Sequence, residues 1–154
     1  MPLNPPTAHR DQFNFSTELR VRLPETDAFG IVFHANFFVY FDVARVDYLR
    51  NLDALQYISV ANKRNNALVH ADADFRSPAR FDDELVIRAR ISELGKSSFT
   101  FEFLASNKKE NRPVASGRTT LVVLDGEWNP APIPDEFRQA VHRFEGKNVI
   151  EKAT

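Results

Sequence analysis

Cysteine is absent from the 154 residues, which excludes disulfides, cysteine-ligated zinc and a cysteine nucleophile, and leaves the redox compartment undetermined. Glycine is scarce, with five in all, and none forms a glycine-rich phosphate loop. No run of basic residues reaches the length of a nucleic-acid patch. Lys108-Lys109 is an isolated pair, and 20 basic against 21 acidic residues leave a formal charge of −1, so nucleic acid is not an expected partner. No stretch approaches the roughly 20 apolar residues of a membrane span. The polar, proline-containing start (Met1 to Thr17) is unlike a secretory signal, which makes the cytoplasm the expected compartment. There is no G-x-S-x-G elbow, and His9, His34, His70 and His142 show no metal-ligand spacing, so neither a metal nor a cofactor is expected.

What the chain does have is phenylalanine, 14 residues of it against one tryptophan and three tyrosines, within a hydrophobic fraction of 43%. That apolar area at this length implies one domain with an aromatic core. Residues 1–16 carry Pro2, Pro5 and Pro6 without periodicity and read as a loosely held arm. From Thr17 to Leu23 the side chains alternate, with Leu19, Val21 and Leu23 on one face, a half-buried strand that Pro24 ends. Glu25 to Phe33 has no period but is rich in Phe29, Ile31, Val32 and Phe33, which suggests a loop pressed into the body. Asn36 is suited to cap a helix running to about Arg50, with Phe37, Phe41, Ala44 and Leu49 at helical spacing. This helix is apolar around most of its girth and needs cover on most sides.

Asp53 to Asn62 is weakly helical, and Asn65-Asn66 breaks the pattern. Four strands are then predicted: Ala67 to Phe75, Leu85 to Leu94, Ser97 to Ala105 with Phe99, Phe101 and Phe103 on one face, and Val114 to Leu124. The run Leu121 to Leu124 reads as covered on both faces, either as a central strand or under a partner chain. Pro134 opens a short helix, Asp135 to Phe144, stopped at Gly146, and 146–154 form a tail. Short connections imply antiparallel pairing, so the expected class is α+β: a five-stranded antiparallel sheet wrapped around one long central helix, over residues 17–145.

Chemistry concentrates in Glu25-Thr26-Asp27-Ala28-Phe29-Gly30-Ile31-Val32-Phe33-His34-Ala35-Asn36, which sets a carboxylate, a glycine turn, a histidine and a helix start within twelve residues. A helix N-terminus offers N–H groups and partial positive charge to a developing oxyanion. A carboxylate across from it would attack a carbonyl, or activate the water that does. Taken singly, each residue has a plainer role: Asp27 as a turn former, His34 as packing, Asn36 as an N-cap. Asp72 and Asp74, on the strand face of His70, read as a solvated or subunit-contact face.

The run from Thr26 to Phe37, followed by Phe41-Asp42-Val43-Ala44-Arg45 and Tyr48-Leu49, resembles the signature of the 4-hydroxybenzoyl-CoA thioesterase family of hotdog proteins. The resemblance continues through Phe75-Arg76-Ser77-Pro78-Ala79-Arg80-Phe81-Asp82-Asp83-Glu84-Leu85, Gly95-Lys96-Ser97-Ser98 and Ala115-Ser116-Gly117, and so covers roughly residues 17–125. It implies a single hotdog domain that hydrolyses an acyl thioester, carried on CoA or on an acyl carrier protein, in a homodimer or homotetramer with its sites at a subunit interface. It also implies Asp27 as nucleophile or general base, a backbone N–H near His34 that polarises the carbonyl, and the His34 side chain as a helper. Substrate-binding candidates by the same resemblance are Gly30, Phe33, Asn36, Phe37, Arg45, Arg80, Lys96 and Ser97. Arg76 and Arg118 join Arg80 and Lys96 as cations able to meet CoA phosphates, although for each an ordinary structural role is the plainer reading. Phe29, Phe33 and the Phe37-Phe38 pair are bulkier than is common in relatives, which points to an aromatic or polyketide-like acyl group. Two other functions share the expected fold: a non-catalytic acyl-CoA-binding module, which would turn nothing over, and a dehydratase, which would hydrate an enoyl-CoA.

Overall fold

The computed structural model describes residues 9–59 and 63–153. Strand β1 (Phe15–Arg20) alternates as expected, with Phe15, Thr17 and Leu19 half-buried. It begins and ends earlier than the pattern implied. Val21 still points inward, its N–H bonded to the Asp83 carbonyl at 2.9 Å, but Leu23–Glu25 turns as a 3₁₀ helix and leaves Leu23 64% exposed. Pro24, which has no N–H for a ladder, fits this turn. The arm is docked where it is described: Arg10 Nη2 donates to Ser106 Oγ at 3.3 Å and Asn14 Nδ2 to the Phe144 carbonyl at 3.2 Å. Its first eight residues lie outside the described residues.

Helix α1 (Asn36–Asn51) buries Phe37, Tyr40, Phe41, Ala44, Tyr48 and Leu49, the three- and four-residue spacing of one helix face. Cover is less complete than its composition suggested, because Val39 and Val43 are 49% and 42% exposed. Of the weak helix expected over 53–62, a 3₁₀ turn at Leu55–Ile58 is formed, and residues 60–62 are not described.

The sheet is built from β1, β2 (Asn65–Phe75), β3 (Glu84–Leu94), β4 (Ser98–Asn107) and β5 (Arg112–Leu124), in the antiparallel order β1-β3-β4-β5-β2. Strand β5 is therefore internal, although Val122 is only half-buried. The Asn65-Asn66 pair belongs to β2 rather than breaking it, held by backbone pairing to Leu124 and Val123. The expectation of five strands is corrected by a sixth, β6 (Ile150–Glu151), which pairs parallel to β3 at Glu93 and Leu94. Pairing with β1 stops at Ala89, so the far end of β3 has open backbone groups that two tail residues satisfy. Two residues carry no periodicity, which is why this strand was not foreseen.

Aromatic stacking joins helix to sheet. Phe41 stacks on Phe103 with centroids 4.8 Å apart, Phe103 on Phe101 at 5.6 Å, and the edge of Tyr48 meets Phe101 at 5.1 Å. Gly117 on β5 permits the closest approach: a Cβ there would sit 2.4 Å from Phe41 Cε2 and 2.9 Å from the Asp72 carbonyl. Helix α2 (Asp135–Glu145) packs Phe137 against Phe99 at 5.2 Å and ends at Gly146, whose φ is +57°. Among the described residues no helix is long and apolar enough to cross a membrane.

Candidate active site

The twelve-residue segment folds as a tight hairpin that delivers the chain to the tip of α1. Thr26 bridges to Val32, the Asp27 N–H donates to the Ile31 carbonyl at 2.9 Å, the Gly30 N–H to the Asp27 carbonyl at 3.0 Å, and the Phe33 N–H to the Glu25 carbonyl at 2.9 Å. Gly30 sits at φ +74°, where a side chain would be strained. The Val32 N–H reaches the Ala79 carbonyl at 2.8 Å and ties the hairpin to the segment leaving β2. This loop is only partly pressed into the body: Val32 is buried, but Phe29 and Phe33 are 85% and 45% exposed.

Asp27 is half-buried at the turn. Its Oδ1 accepts the Phe29 N–H at 2.9 Å, the turn-forming bond available to any aspartate here, while Oδ2 has no hydrogen-bond partner among the described residues. One oxygen thus fixes the carboxylate and the other stays open.

Asn36 is not the N-cap. Ala35 holds that position, and the Asn36 side chain turns back to donate from Nδ2 to the Glu25 carbonyl at 2.9 Å. The helix tip is also less open than a bare N-terminus would be, because the N–H groups of Asn36, Phe37 and Phe38 bond the carbonyls of Phe33, His34 and Ala35 at 2.9, 3.2 and 3.1 Å. The N–H groups of His34 and Ala35, just ahead of the helix, have no acceptor among the described residues.

Beside that tip lies an open groove of about 530 Å³, lined by Ile31, Val32, His34, Phe37 and the segment from Phe75 to Ala79. Its aromatic wall is Phe37 against Phe75, with centroids 5.6 Å apart, and the His34 ring sits 4.4 Å from Phe33 and 6.2 Å from Phe75. Phe38 turns to Phe41 instead, at 6.1 Å. Asp27 is not part of the lining; the strand that returns from its turn, Ile31 and Val32, is. Arg80 stands over the turn, Nη1 3.5 Å from the Gly30 carbonyl.

The remaining candidates lie elsewhere in the chain. Arg45 is roughly 15 Å along α1 from the tip at about 1.5 Å per residue, and it binds Asp42 at 3.2 Å and Asn66 at 3.3 Å. Lys96 and Ser97 form the β3–β4 turn, at the opposite end of β3 from the end that pairs Glu84 with Arg20 next to the hairpin. That is roughly 33 Å away at about 3.3 Å per residue.

Three residues carry more of the site than sequence reasoning gave them. Glu25 is 7% exposed and accepts the Arg22 N–H at 2.8 Å, Arg22 Nε at 2.8 Å and the Tyr40 hydroxyl at 2.8 Å, which locks hairpin to helix. Burial works to raise its pKa, but these donors outweigh it and hold the carboxyl below its usual range. Burial, then the Glu25 bond, pushes the Tyr40 phenol far above its usual range, so it stays a donor. The third is Arg76, in the groove wall. A hydroxyl on an otherwise phenylalanine-rich helix face was the available signal for Tyr40, and a charge at the exit of a strand was the signal for Arg76. Among the described residues no cluster of three or more His, Asp or Glu is placed to hold a metal ion.

Residues 21–141 match the thioesterase-like superfamily. The chain is 30% identical over 131 residues to the acyl-CoA thioesterase YbgC of Haemophilus influenzae, covering 84% of this chain and 96% of that one. It is 28% identical over 128 residues to the chloroplastic acyl-acyl carrier protein thioesterase ATL3 of Arabidopsis thaliana, covering 82% and 67%. The crystal structure of Slr0204, a 1,4-dihydroxy-2-naphthoyl-CoA thioesterase from Synechocystis, superposes with a TM-score of 0.76 at 27% identity, covering 82% of this chain and 94% of that one. Hairpin, helix tip, wrapped sheet and matched sequence agree: the chain belongs to the thioesterase-like superfamily of hotdog-fold proteins and is a thioester hydrolase.

Proposed function

We propose that this enzyme hydrolyses an acyl-CoA with Asp27 as its catalytic carboxylate, acting on a thioester whose carbonyl oxygen is held by the backbone N–H groups of His34 and Ala35. The observation that carries this reading is the pair of amides without acceptors just ahead of the helix, with His34 lining an apolar groove, one short hairpin from a carboxylate with a free oxygen. The acyl chain lies along Phe37 and Phe75, and the carbonyl turns to the two amides, where negative charge grows as the tetrahedral intermediate forms. Either Asp27 Oδ2 takes a proton from water as that water attacks and returns it to the departing thiolate, leaving the free acid. Or Oδ2 attacks the carbonyl itself, expels the thiolate, which water protonates, and forms a mixed anhydride that a second water opens to the free acid and the restored carboxylate. His34 flanks the carbonyl and orients it.

Two copies associate along β2 so that each groove is closed by its neighbour. Supporting this, β2 is an edge strand with Leu68 and Val69 51% and 60% exposed. In the assembled dimer Lys96 and Ser97 serve a neighbouring site that they do not reach in their own chain, while Arg45, held by Asp42 and Asn66, braces α1 against β2. CoA is favoured over a carrier protein by the YbgC relative.

The test is thiol release from a panel of acyl groups offered on CoA and on an acyl carrier protein. Asp27→Asn is expected to lower the rate by about 10²- to 10⁴-fold with the fold intact. Wild-type turnover in that folded variant would remove Asp27 from the mechanism.

A further inference from the structure

Arg76 follows Phe75 at the end of β2, with its backbone N–H fixed to the Val114 carbonyl at 2.8 Å. Its side chain lines the groove with Ile31, Phe37, Phe75 and Pro78. Both Nε and Nη2 are buried and neither has a hydrogen-bond partner. A guanidinium cannot escape such a position by losing its proton, and folded proteins seldom leave buried charged donors open. Among the described residues no carboxylate lies within ion-pair distance of Arg76, neither Asp27 nor Asp74 included; Asp82 and Glu84 are held by Arg20, Asp83 by the Arg80 N–H at 2.8 Å, and Glu110 by Arg112 Nε at 2.6 Å.

Nε and Nη2 share one edge of the guanidinium plane, and that edge presents two N–H groups side by side, the arrangement that receives a carboxylate. The chain uses the same edge for this purpose elsewhere. Arg90 binds Glu102 through Nε at 3.0 Å and Nη2 at 2.7 Å, and Arg22 holds Glu25 the same way. Arg76 has the edge and no carboxylate. The missing anion belongs to the acyl side of the substrate, because the groove that Arg76 lines ends at the helix tip, whereas the CoA phosphates are separated from the thioester by the whole pantetheine arm.

We propose that Arg76 makes the enzyme selective for acyl thioesters bearing a free carboxylate on the acyl chain, the mono-thioesters of dicarboxylic acids. The apolar walls take the methylenes and Arg76 takes the terminal carboxylate. This rests on the reading that places the thioester carbonyl at His34 and Ala35.

Pairs of acyl-CoAs of equal chain length, with and without a terminal carboxylate, test it through kcat/KM in the wild type, Arg76→Gln and Arg76→Lys. The wild type is expected to favour the carboxylated member by about 10- to 100-fold; the Gln variant loses that preference and the Lys variant keeps part of it. Calorimetric Kd values for the corresponding non-hydrolysable thioethers are expected to follow the same order without depending on turnover. An inert enzyme that still binds carboxylated thioethers more tightly through Arg76 would defeat the catalytic reading and support this one. Wild-type indifference to the carboxylate overturns the proposal, as does an unchanged preference in the Gln variant. So does a loss in the Gln variant common to all CoA esters but absent for the same acyl groups on N-acetylcysteamine, which would assign Arg76 to the phosphates. Should the Gln variant fail to fold, the Lys variant carries the comparison.

Discussion

Glu25 shows how a single buried side chain ties the hairpin of the candidate site to the helix beside it. Its carboxylate gathers Arg22 and Tyr40, and its carbonyl accepts from Asn36 and Phe33, so the hairpin bearing Asp27 and the first turn of α1 move as one. Burial disfavours its charge, the Arg22 and Tyr40 bonds favour it more, and the folded pKa lies below the ordinary 4.5. An acid whose pKa falls on folding stabilises the native state above the unfolded value, and that contribution disappears as pH drops through the folded one. Melting temperature measured against pH is therefore expected to fall on the acid side of about 4.5 more steeply in the wild type than in Glu25→Gln. At neutral pH the variant is expected to be less stable by about 1 to 3 kcal/mol, the scale of hydrogen bonds to a charged group. Identical acid limbs in the two proteins would show that the carboxylate is not coupled to folding. Asp27 and His34 stood out as candidates at this scale because glycine, acid and histidine crowd one aperiodic stretch. The partners of Glu25 were not, since residues 22, 25 and 40 meet only once the hairpin closes on the helix.

Elements raise a similar issue at the other end of α1. Glu145 closes α2 with 3% exposure; its Oε1 accepts the Tyr48 hydroxyl at 2.6 Å and the Ile91 N–H at 3.3 Å, while Oε2 is buried without a partner. Burial is the largest influence and raises its pKa, against the pull of Tyr48, Ile91 and the nearby Arg90 charge. Here the folded chain keeps a proton that the unfolded chain gives up. The stabilisation is complete below the unfolded value near 4.5 and is lost as pH climbs through the raised one. Glu145→Gln retains an acceptor for Tyr48 and never ionises, so α2 is expected to dock at least as well, with stability about 1 kcal/mol above wild type at pH 8 and a difference that vanishes toward pH 4. Urea unfolding at several pH values reads this directly; a variant that is weaker at every pH would contradict it. Strand identities were visible as period-two alternation, and helix α1 as three- and four-residue spacing. Boundaries slipped where a tertiary contact overrode the local pattern, at Leu23, at Asn65 and at β6.

Apolar side chains are exposed on the edge strand β2, at Leu68 and Val69, and on α1, at Val39 and Val43, in a chain whose net charge is nearly zero. A lysine in place of Val69 puts a charge into the association proposed along β2. Sedimentation is expected to show a dimer or larger assembly for the wild type and a monomer for Val69→Lys, with turnover reduced about tenfold or more as the grooves lose their neighbours. A monomeric wild type with full activity would separate catalysis from assembly.

Composition and periodicity were sufficient by themselves to determine the α+β class, the buried helix and the phenylalanine core, and one dense motif was sufficient to single out the proposed site, because each is written in residues close together in the chain. The tertiary structure alone decided that Glu25 and Tyr40 join, that the His34 and Ala35 amides stay open, and that Arg76 stands unpaired beside Phe37. Those depend on which distant segments share a surface, and on which donors remain after every nearer acceptor has been taken.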